Sequence, residues 1–419
     1  MPSAPDPAGA PAPAAAPAAV RGARSAPSVA AITGWSAAAM ALNGLIGSSW
    51  GAELVPAVAH FRLTLLAAGS LFAVRGAASL GGSAVAGALS DRLPRHALLA
   101  VYAAALAAFL LLVALAPAWW TVLAGAAGIS ATFGGVSTET SALTAIAGAG
   151  RRGRQLSITN AIYGIGAAVG PFVVGLLLAD RVNWRVPFVL WAVIGLAVLL
   201  PFRSLARALP SRRPAASANG RPAVTPLWRA PRADLLVLWA LAFTYNGVAW
   251  SIVGWSATWL VHRFGAGLVL GASSATAFYA FLTMGRFANA WLSDHVRTSR
   301  LLAAEALLTA LGLVAGASAH AALPAIAAFA LTGLAMGGIY PNVQARAVAL
   351  IPDRPGALTA SVSMAGAAGT MTVPALTGSL GSSAAAMASL LVWAGIVAAL
   401  GGLAAAAGRR EAARSAAEG

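Results

Sequence analysis

The sequence predicts an all-α membrane protein: twelve transmembrane helices arranged as two pseudo-symmetric bundles of six. Three observations predict it. Of 419 residues, 59% are hydrophobic and only 9% are charged, against roughly 25% charged in a soluble domain, and the apolar runs are long. A charged, turn-forming break, GALSDRLPRH at residues 87–96, recurs in weaker form as ANAWLSDHVRTSR at 288–300. Leu89, Ser90 and Asp91 become Leu292, Ser293 and Asp294, an offset of 203 positions. Finally, the arginines fall overwhelmingly on alternate connections between the apolar runs.

The offset extends over the whole chain and defines the halves. It maps Asn43 and Gly44 onto Asn246 and Gly247, Gly82 onto Gly285, and Gly134 and Gly135 onto Gly337 and Gly338. It also maps Arg151 onto Arg354, and Gly166, Pro171 and Gly175 onto Gly369, Pro374 and Gly378. A helix needs about 20 apolar residues to cross a bilayer. Six stretches in the first half meet that, at 31–52, 63–89, 97–116, 119–147, 156–179 and 187–206, and six in the second, at 234–258, 268–292, 300–318, 324–347, 357–379 and 385–407. The organisation is therefore a tail over 1–28, a bundle over 29–206, a linker over 207–233, a bundle over 234–408 and a tail over 409–419. The first tail is Ala- and Pro-rich, a composition that cannot bury a core and predicts disorder. No signal-type apolar core precedes the first span, and no cleavage is predicted.

Arginine placement orients the bundle. All 27 basic residues are Arg; 21 lie in the tails and in connections on the side of Asp91, while Arg62, Arg181, Arg185 and Arg263 occupy the opposite side. The positive-inside rule makes the Asp91 side and both termini cytoplasmic, in a cell or inner membrane. The net charge of +16 is thus a topology signal, and no nucleic-acid partner is expected. The linker, rich in Arg, Pro and Ala, is suited to anionic lipid headgroups. With no cysteine there is no disulfide framework, thiol nucleophile or Cys-based metal site. HExxH and nucleotide-binding loops are missing, and no His pair has metal-ligand spacing, so neither enzymatic activity, catalytic residues, a metal nor a cofactor is expected.

Twelve spans in two halves, a GxxSDRxxRH loop after span 2 and its decayed copy after span 8 resemble the major facilitator superfamily of bacterial and other secondary transporters, across residues 29–408. Pro94 and His96 depart from the family's usual Gly and basic residue. The resemblance implies a conformational latch at the cytoplasmic face formed by Gly87, Asp91 and Arg92, with Asp294 as the repeat mate. A narrower resemblance, to the fucose and proton symporter branch, is carried by WGAELVPAVAHFRLTLLAAGSLFAVRG, ETSALTAIAGAGRRGRQLSITNAIYGIGAAVGP and GGIYPN. It implies substrate and proton roles for Glu139, Asn160 and Tyr163. The carboxylate which that branch carries late in span 1 falls on Ala52, with Glu53 beside it.

The polar residues within the spans give a consistent picture. Asn43 lies some 12 residues into span 1, roughly 18 Å along its axis, near the midplane, and Asn246 has the same depth in span 7. Glu139 maps onto Asn342. Spans 1, 4, 7 and 10 therefore carry polar residues at related depths, where transporters of this kind hold substrate. Tyr245, Trp250, Tyr340 and Gln344 complete a mixed aromatic and hydrogen-bonding set. Each Asn alternatively makes an interhelical hydrogen bond within one half. A charged carboxylate at the depth of Glu139 is costly, which makes it a candidate carrier of a coupling proton. Arg75, 16 residues before Asp91, is too deep to snorkel, so it faces a cavity or pairs with Glu139 or Glu53, and its planar fork suits a carboxylate or phosphate. Arg286, eight residues before Asp294, is close enough to snorkel to the cytoplasmic face. Glu305 is expected near the membrane surface. The glycines of span 5, Gly166, Gly170 and Gly175, with Pro171, allow close helix approach.

The expected activity is proton-coupled movement of a small polar or anionic organic solute by alternating access, by a monomer whose partners are that solute and the bilayer. Efflux of hydrophobic compounds by proton antiport is the alternative, favoured by the span 5 motif and the many Trp residues. A receptor that keeps the fold without flux is a third.

Overall fold

The computed structural model describes residues 29–90, 93–147, 152–207, 232–350 and 355–418. The expected tail over 1–28, the centre of the linker and the Asp91–Arg92 pair lie outside the described residues. The first half comprises α1 (Val29–Phe61), α2 (Leu65–Ser90), α3 (Arg95–Ala114), α4 (Trp119–Ala147), α5 (Arg152–Ala179) and α6 (Val186–Arg207). The second comprises α7 (Arg232–Phe264), α8 (Leu268–Leu292), α9 (Thr298–Ala317), α10 (Ala322–Met336), α11 (Ile339–Leu350), α12 (Pro355–Ser379) and α13 (Ser383–Glu418). No strand occurs among the described residues.

Twelve spans result because α10 and α11 share one, Ala322–Leu350. The sequence predicts a continuous helix there. The structure breaks it at Gly337–Gly338, where Gly337 N–H turns back to Leu334 O at 3.2 Å. Both glycines are pressed by neighbours, Gly337 against the α8 backbone and Gly338 against Asn289 and Glu305. The last helix continues through the expected tail to Glu418. Among the described residues nine spans are long and apolar enough to be identified by hydropathy alone. The remaining three are α4, α6 and α12. Residues Ser130, Thr132, Ser137, Thr138 and Glu139 dilute α4; Ser361, Ser363, Thr370, Thr372 and Thr377 dilute α12. The described apolar part of α6 is short, Val186–Pro201.

Packing follows the repeat. In the first half α1 crosses α5, α2 crosses α4 and α3 crosses α6; in the second α7 crosses α12, α8 crosses α10 and α9 crosses α13. The crossings agree residue by residue. A Cβ on Gly82 would strike Ala131 O, and one on Gly285 would strike Leu334 O, the position 203 residues later. Gly134 lies on the backbone of Ser83, and Gly337 on that of Arg286, again 203 apart. Gly166 and Gly170 seat α5 on the Ala41 and Leu45 carbonyls of α1, while Gly369 seats α12 on Phe243. The span 5 glycines therefore do bring two backbones together, as their spacing predicts.

The halves meet through α1 with α7, α2 with α12 and α5 with α8. Every residue of 46–55 in α1 and of 251–260 in α7 is buried, so both helices are enclosed all round toward the Arg62 end. There Gly51 lies on the carbonyls of Val253 and Gly254, Phe72 packs on Trp255 with ring centroids 5.5 Å apart, and Trp255 Nε1 donates to Pro374 O at 2.9 Å. Toward the Asp91 end the halves part around a cavity.

A side chain at Gly51 cannot fit without separating α1 from α7 at the closed end. Gly51→Val is expected to open that end, and the natural absence of cysteine makes this directly measurable. Labelling of a Ser79→Cys reporter by an impermeant thiol reagent from the Arg62 side should rise severalfold; unchanged labelling would show that Gly51 does not set the closure.

Candidate functional site

The cavity between the halves has a volume of about 230 Å³. One wall is a stripe of α4, Ser130, Phe133, Gly134 and Ser137, spaced so that all four share a helix face. Asn43 and Gly47 of α1, Phe72, Arg75, Gly76, Ser79 and Ser83 of α2, and Tyr163 of α5 complete the first-half lining, and Trp250 and Thr370 enter from the second half.

Arg75 is the centre of this site. It is 9% exposed, and its guanidinium carbon lies 5.0 Å from the Trp50 ring centroid and 5.5 Å from that of Trp250. One indole comes from each half, so the cation is held between aromatic faces on both sides of the inter-half boundary. Nη2 donates to Gly47 O at 3.0 Å and Nε to Ser130 Oγ at 3.4 Å. Among the described residues no carboxylate forms an ion pair with it. The expected pairing of Arg75 with Glu139 or Glu53 is therefore not made, and N–H groups of the fork remain for a ligand.

Glu53 lies behind Trp50. It is 1% exposed, accepts from Ser49 Oγ at 3.3 Å through Oε1, and borders a void of about 10 Å³ lined also by Trp50, Trp119 and Trp184. The Trp191 side chain also interacts with this carboxylate, while the indole N–H groups of Trp50 and Trp184 lack aligned hydrogen-bond partners among the described residues. Arg75 is within electrostatic range.

Glu139 is placed differently from its expected role. It is fully buried but does not line the cavity. Two residues past Ser137, it lies on the face of Gly135, which packs on the Tyr102 ring of α3, and its charge is felt at Tyr102. Asn342, its repeat mate, also faces inward within its half: Nδ2 donates to Asn289 Oδ1 at 2.9 Å and to Glu305 Oε2 at 3.0 Å. Glu305 is the repeat mate of Tyr102, and Gly338, which makes room for it, is the repeat mate of Gly135. Each half thus carries one buried carboxylate between its third and fourth spans, on opposite partners of the pair. Glu305 is half-buried in this cluster, two turns along α9 from its start at Thr298.

The remaining candidates divide between cavity and packing. Asn43 donates to Ser137 Oγ at 3.1 Å and lines the cavity, whereas Asn246 turns back to Ala242 O at 3.1 Å against α12. Tyr245 stacks on Tyr340 with centroids 5.5 Å apart. Tyr340 shares a hydrogen bond with Ser363 Oγ at 3.1 Å, with Gln344 adjacent. Tyr163 of α5 meets Tyr279 of α8 edge to face, 6.4 Å between centroids. Arg286 does not snorkel: its guanidinium reaches the Tyr245 phenol, with Tyr279 and Tyr163 beyond. Tyr279 and Arg286 are seven residues apart on one helix and share a face, a spacing legible in the sequence. The Asn160, Gly87, Asp91 and Arg92 side chains lie outside the described residues. Asp294 is exposed in the turn between α8 and α9. No group of three or more metal-ligating side chains occurs among the described residues.

A profile of the Major Facilitator Superfamily matches residues 28–322. The chain belongs to the Major Facilitator Superfamily. Solved structures of this superfamily share its fold at low identity. A bacterial homologue of the human lysosomal transporter Spinster, inward-facing and unoccupied, is 16% identical with a TM-score of 0.74, covering 91% of this chain and 98% of its own. A variant of the nucleoside transporter NupG is 12% identical with a TM-score of 0.74, covering 90% and 99%. A variant of the peptide transporter POT in complex with sulfate is 15% identical with a TM-score of 0.72, covering 90% and 94%. None of the curated proteins compared matches the sequence. The facilitator is accordingly an integral multi-pass membrane protein whose architecture is that of transporters.

The Asn342–Glu305 cluster tests the packing within the second half. A methyl group at Gly338 collides with both Glu305 and Asn289, whereas Gly395 has open space. Gly338→Ala is expected to cost about 1–3 kcal/mol and lower the melting temperature of purified protein, with Gly395→Ala unchanged as control; equal melting of the two would disprove the crowding.

Proposed function

We propose that this facilitator is a secondary transporter that moves a small organic anion together with a proton. The supporting observation is Arg75, a guanidinium without an ion pair among the described residues, held between the two halves and directed at a cavity sized for a small solute. An Arg fork binds a carboxylate or phosphate bidentately, and a buried cation lacking a counter-ion favours a ligand that supplies one. Because Arg75 of the first half and Trp250 and Thr370 of the second line the same cavity, substrate bound here contacts both halves, the requirement for alternating access. With the arginine-rich side cytoplasmic, the cavity faces inward and both termini are cytoplasmic.

The coupling proton is assigned to Glu53 in preference to Glu139. Glu53 adjoins Trp50 and feels Arg75; Glu139 faces Tyr102 within its own half. Protonating Glu53 removes one negative charge from a site that has just gained an anion, and releasing the proton returns that charge to the neighbourhood of Arg75. The aromatic lining, with Phe72, Phe133, Tyr163 and Trp250, favours efflux of hydrophobic compounds as the second reading.

Proteoliposomes separate these. Acid outside should drive accumulation of a carboxylate substrate by wild-type protein. Arg75→Ala is expected to lose uptake. Glu53→Gln is expected to keep substrate exchange while losing uphill accumulation, and Glu139→Gln to keep both. Loss of coupling in Glu139→Gln alone would move the proton site to α4, and transport restricted to apolar compounds, indifferent to Arg75, would establish efflux instead.

A further inference from the structure

We propose that the organic anion taken by this cavity is hydroxylated. Arg75 holds its charged end, and the carbons beyond carry hydroxyl groups that meet two rows of serines on α2 and α4. The inference rests on the reading that the cavity takes an organic anion, and it adds the chemistry of the rest of the solute.

Both rows start at the guanidinium. Arg75, Ser79 and Ser83 of α2 follow one another at intervals of four residues, each about 6 Å of helix rise, and share a face; all three line the cavity. On α4, Ser130 accepts from Arg75 Nε at 3.4 Å, and Ser137 lies seven residues further along the same face. Between these two serines is Gly134, where a Cβ would lie 2.8 Å from Ser83 Oγ. The rows therefore run side by side from Arg75 toward the Asp91 end. Asn43 of α1 joins the second row: it spends Nδ2 on Ser137 Oγ and keeps Oδ1.

These hydroxyl groups are unspent, unlike others on the same helices. A serine or threonine within a helix can satisfy its O–H at a carbonyl of the preceding turn. Ser70 of α2 does so at Ala67 O, 2.6 Å away, and on α4 Thr132 and Thr138 do so at Gly128 O and Gly134 O, 2.8 and 2.9 Å away. None of those three lines the cavity. Among the described residues Ser79 and Ser83 make no hydrogen bond, and Ser130 accepts one without donating. The Ser79 carbonyl, to which Ser83 would return its proton, is covered by Gly134.

Each free hydroxyl offers one donor and two acceptor positions. A chain without hydroxyl groups displaces water from them and leaves them unpaired, and a site built to bond a substrate hydroxyl rejects the analogue that lacks it. Phe72, Phe133 and Trp250, which also line the cavity, receive the C–H side of the same chain.

The test is thermal-shift titration of purified full-length protein with two matched pairs and a neutral control. The pairs are DL-glycerate with propionate, and glycerol 1-phosphate with propyl phosphate; the control is glycerol. The pairs distinguish a carboxylate from a phosphate as the charged end. In whichever pair binds, the hydroxylated member is expected to bind at least tenfold more tightly than its deoxy partner. Ser79→Ala/Ser83→Ala should abolish that preference, a cooperative melt at the wild-type temperature reporting that the variant is folded. A deoxy partner that binds as tightly as the hydroxylated member, or a double variant that keeps the preference, would overturn the serine rows and leave the organic-anion reading in place. Glycerol binding as tightly as glycerate, or binding of no probe by wild-type protein with a cooperative melt, would overturn both.

Discussion

Backbone contact through glycine is the constraint on which this structure depends. Within a bilayer, lipid tails are as apolar as the helices, so association rests on close packing and hydrogen bonds rather than on removal of apolar surface from water. The crossings of α1 with α5, α2 with α4, and their counterparts in the second half are all made at positions where a Cβ would strike a neighbouring carbonyl. These contacts fix the rotation of each helix. Rotation in turn decides which residues of α4 line the cavity and which, like Glu139, are turned into the bundle.

Once the helices are fixed, the placement of charge follows. Of eleven acidic residues only Glu53, Glu139 and Glu305 lie well inside the spans; Glu53 lies among indole rings and Glu305 beside the Asn289 and Asn342 amides. The arginines inside the spans, Arg75 and Arg286, are likewise given aromatic neighbours. Cation–π contact supplies about 0.5–2 kcal/mol per ring, which offsets part of the cost of burying Arg75 without consuming its hydrogen-bonding edge. The site keeps cations and carboxylates near one another yet unpaired, a costly arrangement and characteristic of functional positions.

Much of the fold was legible in the sequence because its signals act over long distances. The 203-residue offset, the span count and the arginine asymmetry need no knowledge of side-chain orientation. The site was legible in part: Arg75, Asn43, Tyr163 and Trp250 line the cavity, but Asn246 and Asn342 do not. The difference between Ser137 and Glu139 is two residues, about 200° of helix. Helix α4 is built from Gly, Ala, Ser and Thr, whose similar polarity leaves no stripe from which to read its rotation. Depth alone was an incomplete guide for Arg286 and Glu305. Distance along the chain from a loop gives the height of a Cα but not the direction of a long side chain, and both turn inward to partners on other helices. The break at Gly337–Gly338 had an intact counterpart at Gly134–Gly135, so the repeat itself argued for continuity.

Gly51 and Gly254, which meet where the halves close, are themselves related by the offset of 203. In a symmetric homodimer, equivalent residues of the two subunits meet where the two-fold axis crosses the interface. The contact is nonetheless not the same from its two sides: Gly51 rests on the α7 carbonyls of Val253 and Gly254, while Gly254 faces the Phe72 ring of α2. The same sequence position thus carries a backbone seat in one half and a side-chain seat in the other, so the two halves present unlike surfaces where they close.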